Sequence, residues 1–128
     1  MRLLLDTCTF LWIILGADAL SKRARELHED PSNEVYFSSV SAWEISVKFA
    51  LGRLPLPEDP DRFIPEQRRL HGIDPLPLDE TAALQLPRLP NLHRDPFDRM
   101  LVCQSIVEGL TLLTPDRAII QYPVRTIW

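Results

Sequence analysis

The chain has 128 residues, of which 45% are hydrophobic and 25% are charged, and its formal net charge is -4. These values are ordinary for one soluble globular domain that is large enough to form a core without metal or disulfide support. The negative charge excludes the basic footprint of a stoichiometric nucleic-acid binder, but it leaves room for an enzyme that contacts nucleic acid transiently.

The cysteines and the N-terminal stretch predict a cellular location. Cys8 and Cys103 have neither the short spacing of a metal site nor the density of a disulfide framework, which predicts a reducing compartment. The stretch "MRLLLDTC" contains an apolar run that is too short for a signal peptide or a membrane span, and Asp6 ends it at once. We therefore expect a cytoplasmic protein that does not associate with a membrane.

The first half of the chain alternates apolar, strand-like runs with helical patterns. Arg2–Leu5 is a continuous apolar run that predicts a buried strand. The segment "TFLWIIL" predicts a helix that ends at Gly16, and "SKRARELHED" predicts a second, more exposed helix with a good N-cap. "EVYFSS" is rich in aromatic and β-branched residues and predicts the second strand, and "SAWEISVKFALG" predicts a helix that ends before Gly52.

The second half begins with a proline-rich stretch that predicts turns rather than a linker, because apolar residues continue through it. One helix is predicted around Phe63–His71. The segment "IDPLPLDETAALQLPRLP" predicts a short extended piece and a short helix capped by Asp79. Further on, "PFDRMLVCQSIVEG" predicts a strong helix, "LTLLT" a strand and "VRTIW" a last strand.

Strands that alternate with helices predict crossover connections. We therefore expect one α/β domain over residues 1–128, with three α/β/α layers and a central, mostly parallel sheet of four to five strands. In such sheets ligands bind beyond the carboxyl ends of the strands. Five acids follow predicted strands or begin the helices beside them, and should meet at that edge: Asp6, Glu44, Asp95, Asp98 and Asp116.

Crowded carboxylates repel one another unless some of them stay protonated or a cation binds between them. A ligand set made of oxygen atoms, without a supporting cluster of histidines or cysteines, favours Mg²⁺ or Mn²⁺ over Zn²⁺. Asp6 is the hardest of the five to explain in any other way, because an acid at the end of a buried strand needs a partner.

Each of the other acids also has an ordinary structural explanation. Asp95 precedes a proline and fits a helix N-cap, and Asp98 fits its capping-box partner. Ser41 and Glu44 have capping-box spacing as well, while Asp116 fits a turn after a proline. These explanations account for each residue singly, but they do not explain why all the acids fall at one edge of the sheet.

The sequence lacks the motifs of other kinds of catalytic or binding site. No glycine-rich nucleotide loop and no GxSxG nucleophile elbow is present. The three histidines are too dispersed for an obvious zinc site, and His93, beside the acids, is expected to have a surface or packing role. Cys8 lacks a clear base and is predicted to pack as a thiol, and Trp12 and Trp43 are predicted to lie in the core.

Four segments together resemble a known family. They are "LLLDTCTFLW", "SSVSAWEISVKFALGRL", "HRDPFDRMLVCQS" and "LLTPDRAI". In this order they are similar to the PIN-domain nucleases, and specifically to the VapC-like toxins of bacterial toxin–antitoxin pairs. The resemblance runs from Arg2 to Trp128. It implies a PIN-like fold, Mg²⁺- or Mn²⁺-dependent endoribonuclease activity on RNA, a small antitoxin protein as partner, and a homodimer.

The resemblance also assigns roles to individual acids. Compared position by position, the four acids of the family pattern match Asp6, Glu44, Asp98 and Asp116, which implies that these residues are catalytic. The third match is the aspartate of "DRML", and Asp95 is an additional acid that becomes a further candidate metal ligand. No acid of the pattern is missing, as expected of an active member.

These residues suggest a mechanism. Asp6, Asp98 and Asp116 are expected to hold the metal directly or through water, while Glu44 ligates it or orients a water. Nearby hydroxyls could position the acids, or could make only turn and cap hydrogen bonds: Thr7, Ser41 and Thr114. Nearby guanidinium groups could guide phosphate, or could only offset the charge of the acids: Arg94, Arg99 and Arg117.

Three alternatives stay open. A DNA nuclease or a flap-type nuclease would use the same metal–carboxylate chemistry. A phosphotransferase with Asp6 as its nucleophile is weakened because Cys8 stands where a second aspartate is usual. A non-catalytic protein-interaction domain would keep the acids as helix caps, and a thermal shift specific to divalent cations would distinguish it from the nucleases.

Overall fold

The protein is described by a computed structural model that covers residues 1–128. Its centre is a five-stranded sheet in the order β3-β2-β1-β4-β5, and every pair of neighbouring strands is parallel. The strands are β1 (Arg2–Leu5), β2 (Glu34–Ser38), β3 (Asp74–Leu76), β4 (Thr111–Leu113) and β5 (Thr126–Ile127). The expectation of an α/β fold with a mostly parallel sheet of four to five strands is therefore confirmed.

Helices connect all of the strands in the crossover pattern that the sequence predicted. They are α1 (Thr7–Leu15), α2 (Lys22–Glu29), α3 (Ser39–Ala50), α4 (Pro60–Leu70), α5 (Glu80–Leu84), α6 (Pro96–Glu108) and α7 (Arg117–Ile120), with a 3₁₀ turn at Leu86–Arg88. None of these helices has the length and apolar character that crossing a bilayer requires.

The central strand β1 divides the core into two layers. Leu3 and Leu5 point to one face and pack with Phe10 of α1, whose ring stacks on Phe37 with centroids 3.9 Å apart. Leu4 points to the opposite face and packs with residues of α6 such as Leu101. This alternation follows from the period of two along a strand, and it explains why every residue of Leu3–Leu5 is fully buried.

Two helix starts differ from their predicted positions. Helix α3 begins directly after β2, and its N-cap is Ser38, whose hydroxyl oxygen accepts the Val40 N–H. The predicted capping box of Ser41 and Glu44 is therefore wrong, because both residues lie inside the helix. Helix α4 begins at Pro60, three residues before the predicted start, because the fixed φ of proline suits the first helical position.

The order of the strands determines where a ligand can bind. The chain runs outward from β1 to β2 and β3 on one side, and then returns to place β4 and β5 on the other side. The strand order therefore reverses between β1 and β4. In open parallel sheets ligands bind beyond the carboxyl ends of the strands at such a switch point.

Candidate functional site

Asp6 lies at this switch point, directly after β1, and only 4% of its surface is exposed. One carboxylate oxygen, Oδ1, accepts the N–H of Thr9 at 2.7 Å and caps α1. The other, Oδ2, accepts a hydrogen bond from the Thr114 hydroxyl. Burial raises the pKa of Asp6, the hydrogen bonds from Thr114 and Thr9 oppose this effect, and the charge of Asp116 adds to it.

Thr114 connects two of the acids. It is fully buried at the end of β4, and its hydroxyl oxygen accepts the N–H of Asp116 at 3.0 Å while its proton goes to Asp6. Asp116 itself is exposed, and its Oδ1 accepts the Ala118 N–H at 2.9 Å at the start of α7. The side chain predicted as a turn residue is thus an N-cap, and its Oδ2 makes no hydrogen bond within the protein.

Glu44 is held in a chain of polar contacts between α1 and α3. Its Oε1 lies 2.6 Å from the Thr7 hydroxyl, which also lies 2.9 Å from the Ser41 hydroxyl. Thr7 has a single hydroxyl proton, and an ionised carboxylate can only accept. The Thr7 proton therefore goes to Glu44, and Ser41 donates to Thr7. These two hydroxyls fix one oxygen of an acid that is only 5% exposed.

The second oxygen of Glu44 forms an ion pair that was not predicted. Lys48 Nζ lies 2.5 Å from Glu44 Oε2, one turn further along α3, and the hydrogen bond to Glu44 raises the pKa of Lys48. Glutamate four residues before lysine on a helix is a recognisable pairing signal, and it was present in the sequence. The ammonium group of Lys48 thus already neutralises the charge of Glu44.

The start of α6 separates the roles of two aspartates. Asp95 caps the helix, because its Oδ1 accepts the N–H groups of Phe97 at 2.9 Å and Asp98 at 3.2 Å. The side chain of Asp98 does not return to Asp95 as a capping box would, so that prediction is wrong. Instead, Asp98 Oδ2 lies 3.1 Å from Nε2 of His93.

Asp98 has the most clearly altered acidity in the site. Partial burial raises its pKa to about 6, with further contributions from the negative charges of Asp95, Glu44 and Asp116, while the hydrogen bond with His93 opposes the rise. Burial is the larger cause and repulsion by the other carboxylates the smaller one. A bound cation would stabilise the ionised form of Asp98 against both effects.

A histidine belongs to the tightest group of potential metal ligands. His93, Asp95 and Asp98 each contribute one potential ligand atom, and these three atoms lie within 4.8 Å of one another. The sequence predicted a surface or packing role for His93 and missed this contact. Asp6, Glu44 and Asp116 lie outside this group of three, but the charge of Asp116 acts on both Asp6 and Asp98. The carboxyl ends of the strands therefore place all five predicted acids close enough for their charges to influence one another.

The three predicted guanidinium groups do not neutralise these acids. Arg94 and Arg117 are exposed, and neither of them, nor Arg99, lies within 4 Å of a carboxylate. Arg99 is half-buried and its Nε has no hydrogen-bond partner in the protein. These groups remain free to interact with an anion.

Two further predictions about this region are wrong. Trp43 is 59% exposed rather than part of the core, and its ring meets that of Phe97 edge-on at 4.9 Å. Cys8 is exposed rather than packed. Although the residue is exposed, partial desolvation of its thiol and then the charges of Asp6 and Glu44 raise the pKa of Cys8 to about 11, which favours the neutral thiol over the thiolate.

The donor atoms present suit a hard divalent cation. Asp6 and Asp98 have raised pKa values, and Asp95 and Asp116 use Oδ1 to cap helices while Oδ2 makes no hydrogen bond within the protein. Carboxylate oxygens are the ligands that Mg²⁺ and Mn²⁺ prefer, whereas the nearby imidazole of His93 departs from the all-oxygen set that the sequence predicted and suits softer ions as well. Helix capping and metal ligation are therefore compatible in the same side chains.

Comparison with known proteins adds relatives and fold neighbours. Ribonuclease VapC16 of Mycobacterium tuberculosis (strain ATCC 25618 / H37Rv) is 38% identical over 65 residues, which cover 51% of this chain and 45% of that protein. The match thus spans less than half the length of this relative.

Two solved structures share the architecture over nearly the whole chain. VapBC2 from Rickettsia felis, bound to a DNA fragment from its promoter, superposes with a TM-score of 0.73 at 15% identity, covering 99% of this chain and 98% of that one. VapBC-1 from nontypeable Haemophilus influenzae gives a TM-score of 0.68 at 17% identity, covering 99% and 97%. At such identities the likeness shows the fold.

The amino-acid sequence matches one known protein family. It matches the family described as "PIN domain" over residues 3–124, which includes all five acids and every strand except the last. The match therefore confirms at the family level the resemblance seen in four short motifs. This chain belongs to the PIN domain family.

Proposed function

We propose that this protein is a divalent-metal-dependent endoribonuclease and that it serves as the toxin of a toxin–antitoxin pair. The observation that carries this proposal is the crowding of five carboxylates at the switch point, where the pKa values of Asp6 and Asp98 are both raised. Membership of the PIN domain family and the partial match to a ribonuclease support nuclease chemistry.

In this proposal the acids divide into ligands and a water-orienting group. Asp6, Asp98 and Asp116 would hold the cation, and Asp95 could add its free Oδ2. The imidazole of His93 lies with Asp95 and Asp98 and would offer a nitrogen ligand, which suits Mn²⁺ better than the harder Mg²⁺. When bound, the cation supplies charge neutralisation at the scissile phosphate and lowers the pKa of a coordinated water.

The remaining residues hold these groups in position. Thr114 and the Thr9 N–H fix the two oxygens of Asp6, and Thr7 fixes one oxygen of Glu44. Glu44 then orients the attacking water through its second oxygen once Lys48 releases it. The three guanidinium groups named above, none of which has an acidic partner, contact the phosphates of the RNA strand.

The decisive experiment is a cleavage assay on Asp6→Asn and Asp98→Asn with Mg²⁺, Mn²⁺ or EDTA. We expect cleavage of RNA by the wild type with either cation, and none with EDTA or with either variant. Asp74→Asn is the matched control. Asp74 is an exposed aspartate at the amino end of β3, whereas the acids lie at the carboxyl ends of the strands. A folded Asp98→Asn protein with wild-type activity would refute the assignment.

The same assay separates the alternatives. RNA and DNA strands of identical sequence distinguish an endoribonuclease from a DNA nuclease. A protein that cuts neither strand, and whose unfolding temperature does not respond to Mg²⁺ or Mn²⁺, would instead be a non-catalytic domain whose acids only cap helices.

The partner and the homodimer need separate tests. Two structural neighbours are VapBC assemblies, which supports a small antitoxin partner for this chain as well. We expect the protein to inhibit growth when expressed alone, and a co-expressed small partner to relieve that effect. Sedimentation of the purified protein tests the homodimer. Harmless expression of an active, folded protein in its native host would refute the toxin role and leave the nuclease intact.

A further inference from the structure

Two histidines lie near the amino ends of the strands, at the opposite end of the sheet from the acids. His28 is in the last turn of α2 and His71 ends α4, so both precede the amino ends of strands β2 and β3. Their imidazole rings lie with centroids 6.2 Å apart and planes inclined by 36°. Two histidines from separate helices thus face the same space, although 43 residues separate them in sequence.

The hydrogen bonding of the two rings leaves nitrogen atoms free. Nδ1 of His71 lies 2.9 Å from the carbonyl oxygen of Gln67, and a carbonyl can only accept. Nδ1 therefore carries the proton, and Nε2 keeps its lone pair. Metal-binding histidines are commonly oriented by this kind of contact. Nδ1 of His28 is buried and has no partner in the protein, which is unusual for a buried polar atom.

The cleft around the pair has an acidic lining. Both rings line a cleft of about 430 Å³ whose other polar side chains are Glu29, Asp30 and Asn33, with no lysine or arginine in its lining. The C-terminal ends of α2 and α4, which carry the negative end of the helix dipole, lie beside it. Burial, then the neighbouring His71, and to a lesser extent Arg25 lower the pKa of His28, which favours the neutral ring that can bind a metal.

We propose that His28 and His71 form a two-histidine binding site for a borderline-soft divalent cation such as Zn²⁺ or Ni²⁺, with water as the further ligands. Imidazole is the ligand that such ions prefer, in contrast to the oxygen-rich site of the acids. With Zn–N bonds near 2.0–2.1 Å, two imidazoles on one ion have centroids about 5 to 6 Å apart, so a small ring rotation closes the site.

The expected consequence is a cross-link. A cation on both rings ties the end of α2 to the end of α4, and thereby fixes the segments that enter β2 and β3. Because the native fold brings the two rings together and the unfolded chain does not, binding adds to the stability of the folded state.

The test uses Zn²⁺ alone, added to the wild type and to three variants that each lack one histidine. We expect Zn²⁺ to raise the unfolding temperature of the wild type and of His93→Ala, and to raise it clearly less in His28→Asn and His71→Ala, where only the acid cluster remains to bind the ion. His93→Ala is the matched control, because His93 belongs to the other cluster of metal-capable atoms. Circular dichroism of the metal-free variants checks that each is folded.

A second readout locates the ion directly. Paramagnetic Ni²⁺ should broaden the imidazole proton signals of His28 and His71 together in the nuclear magnetic resonance spectrum, before those of His93. Loss of the Zn²⁺ effect in His93→Ala alone would place the ion at the acids and overturn the proposal. A wild-type protein that responds to neither Zn²⁺ nor Ni²⁺, or a folded His71→Ala that responds fully, would overturn it as well.

Discussion

Thr114 donates its hydroxyl proton to the buried carboxylate of Asp6, and so joins the end of strand β4 to the end of strand β1. The same hydroxyl oxygen accepts the backbone N–H of Asp116. One threonine thus sets the positions of two acids that lie 110 residues apart in the sequence.

Replacement of Thr114 by valine keeps the shape of the side chain and removes both hydrogen bonds. We expect a loss of about 1–3 kcal/mol in the free energy of unfolding, because a buried carboxylate oxygen and a backbone N–H lose their partner. Thr114→Ser retains the hydroxyl and should recover most of this loss. Urea unfolding of the three proteins measures the effect, and equal stability of Thr114→Val and the wild type would contradict it.

Replacement of Asp98 by asparagine should stabilise the metal-free protein at neutral pH. The pKa of Asp98 is raised from 3.8 to about 6 by burial, so the folded state holds a proton that the unfolded state has lost between these values. Its ionisation therefore costs stability as the pH rises through this window. We expect a gain of about 1–2 kcal/mol at pH 7.5, after allowance for screening by solvent.

The pH dependence provides the internal control for Asp98→Asn. Below the unfolded pKa of an aspartate both states carry the proton, so the gain should vanish at low pH. Urea unfolding at pH 3.5 and pH 7.5 tests this, and the exposed Asp74→Asn should show no comparable gain. If the gain in the free energy of unfolding is the same at both pH values, its cause is not the charge of Asp98.

Removal of Lys48 should strengthen binding of a divalent cation. Lys48 pairs with Glu44 and places a positive charge beside the acids, which repels an incoming cation. A half-exposed pair is worth up to about 1 kcal/mol, so Lys48→Gln should improve Mn²⁺ affinity by roughly threefold to fivefold. Lys22→Gln is the control, because Lys22 makes a similarly spaced pair with Glu26 on α2. Calorimetric titration measures both, and weaker Mn²⁺ binding by Lys48→Gln would be the contrary result.

Inhibition by an antitoxin should depend on Mg²⁺ if the partner inserts a basic side chain among the acids. An arginine there could pair with Asp6 or Asp98 through two hydrogen bonds and would compete with the cation. Linkage then requires that raising Mg²⁺ weakens the complex. Affinity measured across Mg²⁺ concentrations at constant ionic strength separates competition from general screening. An affinity indifferent to Mg²⁺ would mean that the partner blocks access from elsewhere.

The sequence predicted the placement of the acids well, because that placement depends on strand ends alone. Asp6, Asp98 and Asp116 each follow a strand or begin a helix beside one, and the parallel sheet gathers them at one edge. Contacts made across helices were not predictable in this way. The proximity of Thr7 and Glu44 depends on how α1 packs on α3, which no local pattern specifies.

Exposure was the other source of error. Trp43 was assigned to the core on its hydrophobicity, yet it lies on the outer side of α3 beside Phe97. Helical spacing would not have corrected this, because Trp43 shares a face with the apolar Val47 and Leu51, which the structure shows to be exposed as well. Residue type alone says little about which face of a helix meets the core.

The bond between Asp6 and Thr114 has a consequence for synthesis of the protein on the ribosome. Asp6 emerges among the first residues, while its partner on β4 follows 108 positions later. Strand β1 can pair with β2 early, but the second side of the switch point forms only after Thr111–Leu113 has left the exit tunnel and joined the sheet. A nascent chain that stops before this point has four of the five acids but lacks Asp116 and strand β4. Interrupted translation therefore yields fragments in which the five acids are not assembled.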